Sequence, residues 1–133
     1  MLLGCAGLLI GLSLKGAAAN AAPEGGRALS STERAGRALF QSQKCSGCHK
    51  VSGVGGEIGP DVTEIGLHHS AGWLHSFIEA PMRFHKDSHM PAFGPPTLTH
   101  EEIEELAQYL SSLRGGGTAA PQFVDSFPPP SGP

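Results

Sequence analysis

Residues 44–51 read Lys-Cys-Ser-Gly-Cys-His-Lys-Val, which sets two of the chain's three cysteines three positions apart and a histidine directly after the second. This run constrains the fold more than any other, because both thiols leave one tight turn and whatever they hold must be enclosed by the rest of a small chain. A redox dithiol is expected beside a βαβ pattern. A zinc site needs four ligands, and His68 and His69 are the residues that could complete one with Cys45 and Cys48. A disulfide between these cysteines would close too short a loop to stabilise much. The spacing also fits covalent haem attachment: thiols at Cys45 and Cys48 can reach the two vinyl groups on one porphyrin edge, and His49 can then offer an imidazole nitrogen to the iron. Ser46 and Gly47 are small enough for the backbone to turn closely there.

The ends of the chain bear on that choice. Leu2–Leu14 is apolar, followed by Lys15 and then a small-residue stretch in which Ala19, Asn20 and Ala21 make an A-x-A arrangement. Residues 1–22 are therefore expected to be a secretory signal peptide cleaved near Ala21 or Ala22, or a retained anchor, although about 20 apolar residues are needed to span a bilayer. The Leu-Leu-Gly-Cys run ending at Cys5 is similar to a bacterial lipidation box. It lies too near Met1 for a complete signal, so that reading needs the chain to begin further upstream. Each reading exports the domain and favours haem, because c-type attachment takes place outside the cytoplasm. Residues 23–29 are a linker, and residues 115–133, rich in Gly, Pro and Ser, are expected to be a disordered tail.

Residues 30–114 are left as the folded unit. Its charge balance is mildly acidic, in keeping with −3 for the whole chain, and it has no basic stripe of the kind nucleic acid requires. A core of about 85 residues is marginal, and domains of that size commonly recruit a cofactor, metal or disulfide. Three segments carry helical periodicity. In the first, Ser30 and Glu33 form a capping box, Ala35, Leu39 and Phe40 share a face with Ala38 at its edge, and the helix runs straight into Cys45. Gly36 costs helix propensity, so a close backbone approach is expected there. In the second, Trp73, Leu74, Phe77 and Ile78 fall on one side and Pro81 marks the end. In the third, Thr99 and Glu102 form a capping box, Ile103, Leu106, Leu110 and Leu113 make the apolar stripe, and Arg114 with the glycines after it ends the helix. No alternating strand pattern of useful length appears. The fold class expected is all-α, with long Gly- and Pro-rich loops that wrap a ligand.

For the far side of an iron the sequence offers Met82, His85, His89 and Met90. Taken together, the first helix with Gly36 and Phe40, the Cys45–His49 motif, the Gly59-Pro60 pair, Trp-Leu-His-Ser-Phe-Ile-Glu-Ala-Pro from Trp73, Met-Pro-Ala-Phe from Met90 and the last helix resemble the class I cytochromes c over residues 32–113. Only the Cys-Ser-Gly-Cys-His run is specific alone; the order and spacing of all the pieces carry the resemblance. It implies a small cytochrome c fold around one covalent haem c, with Cys45 and Cys48 attached, His49 as proximal axial ligand and Met90 as distal ligand. It implies that the Pro60 carbonyl orients His49, that Tyr109 meets Gly36 and Phe40, and that Trp73 reaches a haem propionate, although a core tryptophan would look the same. No role is assigned to His68, His69, His75 or His100.

The function so implied is one-electron transfer outside the cytoplasm, in the periplasm or on the outer face of the cytoplasmic membrane. The carrier would work between a quinol-oxidising complex and an oxidase, reductase or other cytochrome, with redox proteins as partners and a possible membrane tether at the N-terminus. A haem c subunit of a larger membrane oxidoreductase is the alternative, and a haem peroxidase or gas sensor a further one.

Overall fold

The computed structural model describes residues 27–115. The expectations for residues 1–22 and for nearly all of the 115–133 tail lie outside them. Three helices carry the fold: α1 (Ser31–Ser42), α2 (Ala71–Glu79) and α3 (His100–Ser112). Each starts at a hydroxyl cap. Ser30 accepts from the Glu33 N–H, Ser70 from that of Trp73 and Thr99 from that of Glu102, and both expected capping boxes are formed. Such caps satisfy donors that a helix leaves unpaired at its start, each contributing about 1 kcal/mol.

α3 lies at the centre. Its stripe of Ile103, Leu106, Ala107, Leu110 and the following Leu113 is buried, together with Tyr109, and it packs against both α1 and α2. Leu74 and Ile78 of α2, Phe40 of α1, and Val62 and Leu98 from the loops complete the same core.

The crossing of α1 over α3 depends on Gly36. A side chain there would strike the backbone carbonyl of Glu105, and its Cβ would lie 2.8 Å from Cβ of Tyr109. One turn further, Phe40 meets Tyr109 edge to face, with ring centroids 5.9 Å apart at 64°. The close approach and its aromatic partner are thus as the sequence implies. The buried face of α1 is different in detail: Glu33, Gly36 and Phe40 are buried, Ala35 and Leu39 are half-buried and Ala38 is exposed. The crossing angle turns the smallest residue inward, and apolar periodicity cannot register a glycine.

Two further differences concern the loops. Lys50–Val51 and Val54–Gly55 form a short antiparallel ladder, joined by Ser52 and Gly53, both at positive φ (49° and 80°). A two-residue hairpin turn of primed type demands that conformation, and two-residue strands are too short to leave an alternating pattern. Ahead of Ser30, Leu29 packs against the core and Arg27 pairs with Glu33, so ordered contacts begin within the linker.

Candidate functional site

The site starts where α1 stops. The helix does not run straight into Cys45: Lys44 adopts the left-handed conformation (φ 58°) and swings the chain into a 3-10 turn over Cys45–Gly47. The Gly47 N–H donates to the Lys44 carbonyl at 2.9 Å, and the Cys45 carbonyl accepts from both Cys48 (3.1 Å) and His49 (2.9 Å). Both cysteines and the histidine are therefore tied to a single turn.

The Gly-rich loop that follows folds back on this turn. Gly56 N–H donates to the Ser46 carbonyl at 2.9 Å, Gly59 N–H to that of Cys48 at 2.8 Å, and Val62 N–H to that of Lys50 at 2.9 Å. The return places the Pro60 carbonyl oxygen 2.8 Å from Nδ1 of His49. A carbonyl can only accept, so Nδ1 carries the proton and Nε2 keeps its lone pair for a metal. Gly59 lies flat on the same ring, where a Cβ would come within 2.6 Å of Cε1 and 2.7 Å of Nδ1.

The rival chemistries of the cysteine pair find less support. Cys45 and Cys48 are both free. Burial pushes the Cys45 thiol up from its ordinary value, whereas a redox dithiol works through a thiol whose pKa is lowered. Among the described residues the sheet is a single antiparallel pair, not part of a βαβ unit. His69 stacks on Trp73, with ring centroids 3.7 Å apart at 13°. Among the described residues, neither His68 nor His69 joins the cysteines in a set of atoms close enough to share an ion, whereas His75, Glu79 and His100 do come that close to one another.

On α2 the four expected apolar residues divide. Leu74 and Ile78 enter the helical core, while Trp73 and Phe77 are half-buried in an aromatic layer. Trp73 stacks on Phe77 (5.0 Å, 11°) and meets Phe84 edge on (5.2 Å, 62°). His69 is given no part in this layer from the sequence, although His69, Trp73 and Phe77 stand four residues apart, a helical repeat that could have pointed to it. The indole Nε1 is buried, with no hydrogen-bond partner among the described residues. An unpaired buried donor costs about 1–3 kcal/mol, so this N–H calls for an acceptor beyond the described residues.

Of the four distal candidates, Met82 is 63% exposed, and His85 and His89 are exposed as well. Met90, in the loop leading to α3, is half-buried and packs against the core. The chemistry of this donor set fits haem: two thiols on one turn, an imidazole with its Nε2 lone pair kept, a partly buried thioether, and an indole N–H lacking the acceptor that a propionate would provide.

A small helical domain built on a C-x-x-C-H turn, with an oriented imidazole beside it, defines a c-type haem domain. The chain belongs to the cytochrome c family, whose model, described as "Cytochrome c", matches residues 33–114, and its cofactor is a covalently bound haem c. Cytochrome c oxidase subunit 2 of Alkalihalophilus pseudofirmus is 33% identical over 87 residues, covering 59% of this chain; those residues span 25% of that relative's length. The c-type cytochrome SorU from Sinorhizobium meliloti is 28% identical, with a TM-score of 0.49, covering 63% of this chain and 92% of its own.

Proposed function

We propose that the chain is a one-electron carrier in which Cys45 and Cys48 would hold the haem through thioethers and His49 and Met90 would supply ligands to its iron. The haem, when bound, supplies the electron exchange. The chain's residues supply orientation and exclusion of water. Pro60 holds the proton of His49 on Nδ1 and aims Nε2, Gly59 fixes the tilt of the ring, and Trp73 would donate to a propionate. With His49 and Met90 both given to the iron, no coordination site would remain for a substrate, which favours a carrier over an enzyme. A thioether ligand favours ferrous iron and a relatively high potential.

The observation that carries this reading is the 2.8 Å contact between His49 Nδ1 and the Pro60 carbonyl. The carrier would act outside the cytoplasm, between a quinol-oxidising complex and an oxidase, reductase or other cytochrome, meeting each partner briefly. The test is the oxidised absorption spectrum of the haem-loaded protein, in which the long-wavelength band of Met-ligated haem c is expected. Absence of that band would remove Met90 from the iron and reopen the peroxidase and gas-sensor readings.

A second reading, a haem c subunit of a larger membrane oxidoreductase, draws support from the likeness to an oxidase subunit. Purification from gently solubilised membranes separates the two. Release on mild washing supports the carrier, and stable co-purification with other subunits supports the second reading.

A further inference from the structure

We propose that His75, Glu79 and His100 form a binding site for a divalent first-row transition metal ion, with Zn²⁺ as the ion to test, where α2 meets the start of α3. Each of the three offers one ligand atom, and these atoms all lie within 4.8 Å of one another. Two helical pairs with the same spacing build the cluster. His75 and Glu79 stand at i and i+4 on α2, His100 and Glu104 at i and i+4 on α3, so each pair shares one face of its helix. The pairs meet head to tail: His75 Nδ1 donates to Glu104 Oε2 at 3.1 Å, and His100 Nδ1 lies 3.6 Å from Glu79 Oε1. The two imidazoles are nearly parallel at 9°, with centroids 6.1 Å apart.

The donor types, two imidazoles and a carboxylate, suit Zn²⁺ and leave a fourth position for water. Bonds of about 2.0–2.2 Å require the ligand atoms to draw together by roughly 1 Å. Side-chain rotation can supply that, since His100 is 69% exposed and Glu79 31%. The backbone beneath is fixed. Leu74, Ile78, Ile103 and Leu106 share one core, and the loop ahead of α3 is bonded to the end of α2 through Phe93 N–H to Ile78 O (3.1 Å) and Gly94 N–H to Glu79 O (3.2 Å). Behind the site, Gln108 donates to Glu104 at 2.8 Å, and Glu104 in turn holds the His75 ring, as a carboxylate does behind a metal-binding imidazole. Without an ion the same four residues would be no more than two partly exposed cross-helix pairs, which stabilise little.

The experiment is calorimetric titration of the full-length, haem-loaded, chelator-treated protein with Zn²⁺. One ion per chain is expected, with affinity falling at least about tenfold in His75→Ala and in His100→Ala and unchanged in His68→Ala. Zn²⁺ should raise the Tm of the parent and of His68→Ala but of neither site variant. His100 is exposed at a helix start, so its removal leaves the core intact, and an unaltered haem spectrum in each variant checks this. No saturable binding, or parental affinity retained in either site variant, would overturn the site.

Discussion

His49 and Pro60 stand eleven residues apart in sequence, and in the fold the imidazole Nδ1–H donates to the proline carbonyl at 2.8 Å. The acceptor is backbone, so the contact depends on the path of the Gly55–Pro60 segment more than on the proline ring, and that path depends on Gly59.

Gly59→Ala is therefore the sensitive change. Its methyl would meet His49 Cε1 at 2.6 Å, forcing the ring to tilt or the loop to retreat, at a cost of about 1–3 kcal/mol. The expected outcome is a lower Tm together with a shifted or broadened haem absorption spectrum. An unchanged spectrum would show that the ring is not held from this side.

Met90→Ala tests the distal ligand. Loss of the long-wavelength band, a lower reduction potential and new binding of small exogenous ligands are expected, as measured by spectroscopy and redox titration. Met82→Ala should do none of these, since Met82 is 63% exposed. Ligation unchanged in Met90→Ala would transfer the role to another residue.

Trp73→Phe keeps an aromatic ring against His69, Phe77 and Phe84 and removes the buried Nε1–H that has no partner among the described residues. If that donor serves a propionate, redox titration across pH should show a changed potential with a nearly unchanged Tm. A fall in Tm with the potential unmoved would make Trp73 a packing residue.

Glu33 carries a pH dependence of stability. It receives a paired hydrogen bond from Arg27 and a 2.7 Å bond from the Ser30 N–H. The Arg27 bond is the largest cause of a carboxyl pKa lowered to about 2 from 4.5. A lowered folded-state value means the stabilisation is fully present above about pH 4.5 and is lost as pH falls toward 2. Glu33→Gln should cost about 1–2 kcal/mol at neutral pH and flatten the acid limb of a Tm-against-pH curve. A parent and variant that lose stability in parallel below pH 4.5 would refute this.

Much of this protein was legible in its sequence, where the signal is local. Capping boxes at Ser30/Glu33 and Thr99/Glu102 concern groups three residues apart, and the α3 stripe repeats at one helical period, so the fold class and helix starts could be read directly. Cys45, Cys48 and His49 share one turn, and their chemistry lies in their spacing. What only the tertiary structure decided concerns residues that meet from distant parts of the chain. It decided that Ala38 is exposed and that the close approach expected at Gly36 is made to the Glu105 carbonyl, because the crossing fixes which backbone the glycine meets. It also decided that Lys44 breaks the helix before Cys45, that Trp73 sits at the edge of the core in an aromatic layer with its N–H unpaired among the described residues, and that His75 and Glu79 face Glu104 and His100. Each helix's periodicity states which residues share a face, but the neighbour opposite that face is set by how the helices cross.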